Sequence, residues 1–99
     1  MGKKNKIKIV GESKDGKKII DGSFLLFMKD SRGIPLEVTN QFLKENDLGF
    51  CVKSFINACI DNPNYSLSKT RRMLQAVQPK SLWSMTDFLI YQIITDKKE

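Results

Sequence analysis

The sequence predicts an α+β domain, mostly helical, built as an N-terminal β-hairpin followed by four or five short helices. Three observations carry that prediction. Residues 6–9 alternate, with Lys6 and Lys8 on one side and Ile7 and Ile9 on the other, the period of a half-buried strand. Asp15-Gly16 follows at hairpin distance, and glycine accepts the positive φ that a type I′ turn requires. From residue 23 onward apolar side chains recur mainly at helical spacing, interrupted by Gly33, Pro35, Gly49, Pro63 and Pro79.

Taken in order, the hairpin occupies the lysine-rich start. A second Asp-Gly, at Asp21-Gly22, precedes "SFLLFMK", which reads as a helix capped by Ser23 and closed by Gly33, with a third strand as the alternative. Pro35 opens the next helix at its first position and Gly49 ends it, with Leu36, Thr39, Phe42, Leu43 and Leu48 turned to the core. In "FCVKSFINACIDN", Val52, Phe55, Ile56, Cys59 and Ile60 form one face and Lys53, Asn57 and Asp61 the opposite stripe. Ser66 caps a helix whose inner face is Leu67, Thr70, Met73, Leu74 and Val77, and Pro79 stops it. Ser81 is expected to cap the last helix, "LWSMTDFLIYQIITD". Residues 1–4 read as a basic disordered tail, 5–96 as a single compact domain and 97–99 as a frayed tail.

At 99 residues with 28% charged side chains, the chain has ordinary globular composition. Its net charge of +6 is unevenly spread: residues 1–18 carry +5, residues 19–62 carry −2, and residues 63–99 carry +3. Such segregation favours anionic partners, either nucleic acid or an acidic protein surface. Cys51 and Cys59, eight residues apart in one expected helix, would lie about 12 Å apart along its axis, too far for a disulfide. With no histidine, soft ligands for a zinc site are lacking. No apolar run is long enough to span a membrane and no signal-peptide core is present, which points to the cytoplasm.

No catalytic constellation, glycine-rich phosphate loop or cofactor motif emerges, so a non-enzymatic binding module is expected, without cofactor or metal. The candidate nucleic-acid surface is Lys69, Arg71, Arg72 and Lys80, where arginines and aromatic residues interleave, assisted by Lys6 and Lys8 of the hairpin. The bland alternative pairs those arginines with Glu37, Glu45 or Asp47. A helix-turn-helix over residues 66–95 is rejected, because its second helix is too apolar to read bases. That last helix is apolar around most of its circumference. A central core helix in a monomer is the favoured explanation. The alternative is a dimer or partner interface along Trp83, Ile90 and Ile94.

The segment "KDSRGIPLEVT" resembles the Asp-Thr-Tyr-Gly-Phe-Pro-Leu-Asp-Leu-Thr stretch of alanyl-tRNA synthetases at Asp30, Gly33, Pro35, Leu36 and Thr39. Arg32 and Ile34 replace that family's aromatics, and the chain is too short for its ATP and alanine site, so no activity is implied. The Asp-x-x-Gly-x-Pro-Leu corner, followed by a helix with Phe55, Ile56 and Ala58, also resembles small bacteriophage accessory proteins of uncharacterised function. That resemblance implies a phage or mobile-element protein in the host cytoplasm. Nucleic-acid binding or inhibition of a host protein complex would be its role.

Overall fold

The computed structural model describes residues 7–97, with the side chain of Lys97 excepted. Lys6 and the two expected tails, save for the backbone of residue 97, lie outside the described residues. The element order is β1 (Ile9–Glu12), β2 (Lys18–Ile20), α1 (Ser23–Arg32), α2 (Leu36–Glu45), β3 (Leu48–Phe50), α3 (Val52–Ile60), α4 (Leu67–Val77), a 3₁₀ turn (Lys80–Leu82) and α5 (Trp83–Lys97). The architecture is therefore α+β and mostly helical, as the sequence predicts.

The hairpin forms, but with a different turn. The Ser13 amide donates to the Lys17 carbonyl at 2.8 Å and the Gly16 amide to Ser13 at 3.0 Å. Of the loop residues only Gly16 has positive φ, at 88°. This is a three-residue loop with a left-handed glycine rather than a type I′ turn, which would need positive φ at Asp15 as well. A register shift between Ile9 and Gly11 breaks the expected alternation. Ile7 packs on the core while Ile9 is exposed.

β3 is a strand that sequence reading misses. It pairs parallel to β2, which sits at the centre of a three-stranded sheet ordered β1-β2-β3. Leu-Gly-Phe is too short to show a period, and Gly49 reads as a helix stop. The helix actually ends at Glu45, and Asp47, with φ 58°, swings the chain into the strand. Leu48 therefore belongs to the sheet. Cys51 continues the pairing, its amide donating to Ile20 O at 2.9 Å, and precedes α3 as its N-cap rather than lying within it.

The helix boundaries carry their expected chemistry with small displacements. Ser23 is the first residue of α1, and the Asp21 carboxylate accepts from its amide at 2.9 Å, so Asp21 does the capping work. Gly33 closes α1 at φ 67°, its amide reaching Lys29 O in the 5→1 bond of an αL ending, while the amide of Ile34 reaches Met28 O. Pro35 caps α2 instead of starting it. Ser66 caps α4, accepting from the Lys69 amide at 3.1 Å. Ser81 lies inside the 3₁₀ turn and caps nothing, since Pro79 starts that turn and α5 continues from it.

The core joins the sheet to all five helices through Ile20, Leu25, Leu36, Leu43, Phe55, Ile56, Cys59, Leu74, Ile90 and Ile93. At its tightest point, a Cβ on Gly22 would lie 2.3 Å from Cys51 O and 2.7 Å from Phe55 Cβ. The Gly22 amide donates to Ser54 Oγ at 2.7 Å, locking the start of α1 onto α3. Two residues expected inside, Phe42 and Leu67, are exposed.

Candidate nucleic-acid interface

The sequence-expected cations do not form one surface. Arg71 turns toward α5, where its guanidinium grips Asp87 in a two-pronged ion pair, Nε to Oδ1 at 2.8 Å and Nη2 to Oδ2 at 3.1 Å. Its partner is thus on α5, not Glu37, Glu45 or Asp47. Lys80 sits at the far end of α4, its ammonium 5.8 Å from the Trp83 ring centre. Lys8 lines a separate cleft with Asp21 and Asp30, where two carboxylates oppose an incoming anion. That cleft has a volume of about 510 Å³.

What remains is a smaller group that the chain assembles from three places. The last turn of α1 supplies Lys29 and the first turns of α4 supply Lys69 and Arg72. The connection between α3 and α4 contributes Tyr65. Two ammonium groups lie over the Tyr65 ring, Lys29 Nζ at 5.6 Å and Lys69 Nζ at 5.0 Å from its centre. Each contact is a cation–π attraction to the negative face of the ring. The Tyr65 hydroxyl donates to the Asp30 carboxylate, which anchors the ring to α1. Burial, reinforced by that carboxylate, pushes the phenol up to about 12, so Tyr65 stays a neutral donor at physiological pH.

Arg72 stands one turn beyond Lys69, and the two line a shallow cleft of about 310 Å³ with Lys29, Pro35, Leu36 and Glu37. Among the described residues the ion pairs are Lys18–Glu12 and Arg71–Asp87. Neither pair engages Lys29, Lys69 or Arg72. Three cations against the single carboxylate of Glu37 leave the lining of this cleft net positive, which suits an anion. Sequence reading finds Lys69 and Arg72 but misses Lys29, which lies forty residues earlier in the chain. Its signal, a lysine in the last turn of α1, is also what any helix shows as a favourable dipole partner.

No metal-binding group of histidine, cysteine and carboxylate side chains is present among the described residues. Cys59 is buried, and its thiol is pushed up to about 11 by that burial, which makes it an inert core side chain. No described helix is long and apolar enough to cross a membrane.

The Trp83–Ile90–Ile94 stripe also falls differently. Ile90 is buried, Ile94 is half-buried against the core, and the Trp83 indole donates to Gln78 O at 3.2 Å. This stripe faces inward, and the exposed apolar side chains of α5 are instead Met85, Phe88 and Tyr91. A second apolar feature is a cleft of about 460 Å³ between α1 and α2, lined by Ile7, Phe24, Met28, Ile34, Val38 and Phe42. No protein-family model, curated protein or solved structure matches this chain, so its function has to be inferred from the side chains themselves.

Proposed function

We propose that the protein is a small non-enzymatic module that binds nucleic acid through its phosphate backbone, using Lys29, Lys69 and Arg72. The observation that carries this reading is the Tyr65 ring holding two ammonium groups from different helices at 5.0 and 5.6 Å. With Arg72 alongside and neither the Lys18–Glu12 nor the Arg71–Asp87 ion pair engaging them, the three charges are available to a ligand. Lysines give point-charge attraction and Arg72 gives a fork that matches two phosphate oxygens. The net charge of +6 steers polyanions towards the chain. No base-reading helix is proposed, so binding is expected without strong sequence preference.

The test is fluorescence anisotropy with labelled duplex DNA and RNA at two salt concentrations. Three phosphate contacts give a log–log slope of about −2.7, so affinity should fall about 40-fold between 50 and 200 mM salt. Replacing Lys29, Lys69 and Arg72 together by Ala should abolish most of the binding. Arg71→Ala should change it little, because that guanidinium is already engaged by Asp87. Absence of binding at 50 mM salt would overturn the proposal. Polyglutamate competing as well as RNA would reassign the surface to an acidic protein.

A further inference from the structure

The solvent side of α5 has the pattern of a helix-pairing seam. Met85, Phe88, Gln92 and Thr95 are spaced by three, four and three residues, the a and d positions of two successive heptads, and all four are exposed. The opposite positions, Thr86, Ile90 and Ile93, are buried in the chain's own core. The helix therefore has two working faces, one satisfied internally and one that none of the described residues covers.

We infer that α5 pairs with α5 of a second copy of this chain, in parallel about a two-fold axis, along Met85, Phe88, Gln92 and Thr95. The choice of a second copy follows from self-complementarity. In a parallel pair each seam residue meets its own equivalent, so Met and Phe face Met and Phe, and the Gln92 amides face each other as donor and acceptor. An antiparallel pair would place Phe88 on Gln92 and Met85 on Thr95, burying each polar group against an apolar one. The parallel arrangement also brings Tyr91 beside Asp96 of the second copy, a hydroxyl donor next to a carboxylate.

Charge argues in the same direction. The chain has 28% charged residues, yet the seam has none. Two copies at +6 repel each other, and a seam without charged side chains adds no like-charge contact along its centre.

The available area sets the strength. Met85, Phe88 and Tyr91 are 60%, 60% and 67% exposed. At roughly 200 Å² per large side chain they offer about 370 Å² per copy. Leu67 is 46% exposed and shares a groove with Tyr91, and with Gln92 and Thr95 it brings the pair to roughly 1,000 Å² in total. That is the low end for a specific interface, so the association should be transient, with Kd on the order of 10–100 μM.

Sedimentation of the full chain from 5 μM to 1 mM tests this directly. A monomer–dimer equilibrium is expected that strengthens severalfold from 50 to 500 mM salt, the opposite sign to nucleic-acid binding. Phe88→Glu should weaken it at least tenfold while leaving the melting temperature in place. Thr95→Cys in a Cys51→Ser background fixes the orientation under mild oxidation. Parallel helices place the two thiols side by side, whereas antiparallel ones separate them by about 15 Å along the axis. A monomer at 1 mM, association that survives Phe88→Glu, or a dimer that does not cross-link through residue 95 would each overturn the inference.

Discussion

α3 and α5 are both rich in apolar side chains, and they use them in opposite ways. The nine-residue α3 directs Phe55, Ile56 and Cys59 into the core, and its exposed or half-buried side carries Lys53 and Asn57. The fifteen-residue α5 buries Thr86, Ile90 and Ile93 but sets Met85, Phe88 and Tyr91 in solvent. A short helix enclosed by α1, α4, α5 and the sheet needs only one apolar face, and α3 has that. α5 lies at the periphery with apolar residues on two faces, and the core can cover only one. The lesson is that apolar content alone does not report burial. Two phenylalanines of equal hydrophobicity, Phe55 and Phe88, have entirely different surroundings.

The largest effect should come from the α3 side of this comparison. Phe55→Ala removes a fully buried ring that touches Phe50 edge-on at a centroid distance of 6.2 Å. It should cost about 3–5 kcal/mol of unfolding free energy in denaturant titration. A cost under about 1 kcal/mol would erase the distinction between the two helices. Gly22→Ala should follow, at about 2–3 kcal/mol, since its methyl would press on Cys51 O and the Phe55 backbone, which cannot rotate away.

Thr39 sharpens the comparison from the polar side. Its hydroxyl is buried and has no hydrogen-bond partner among the described residues. Thr39→Val keeps the shape and deletes the stranded oxygen, so stability should rise by up to about 1 kcal/mol, seen as a higher denaturation midpoint. Phe88→Ala should give the smallest effect, within about 0.5 kcal/mol at concentrations where the chain is monomeric. A loss comparable to that of Phe55→Ala would mean that α5 packs against its own domain on both faces.

Much of this molecule is legible in its sequence because the signals are local. Gly33 must close α1, Ser66 must cap α4, and the face of α3 follows from spacing within nine residues. β3 is not legible, since three residues show no period and its only reason to be extended is the edge of β2. The N-terminal hairpin is half-legible: the turn glycine is evident, but the bulge at Ile9–Gly11 that exposes Ile9 arises in the pairing. The candidate site divides the same way. Lys69 and Arg72 stand three residues apart on one helix and can be found by eye. Lys29 joins them only because the α1–α2 corner and the α3–α4 connection bring Tyr65 between two helices.

The sequence by itself determined the fold class, the position of most helices, the basic ends and the two-sided apolar character of α5. Those properties depend on residues within a turn or two of one another, where spacing and backbone preference act directly. Only the tertiary structure decided which side of α5 is covered, which arginine is neutralised and which lysines share a ring. Each depends on the mutual placement of elements distant in the chain. Arg71 and Arg72 show the reason most simply, because helical geometry turns adjacent side chains about 100° apart. One guanidinium therefore meets Asp87 on α5, and the other is left facing an open cleft beside Lys69.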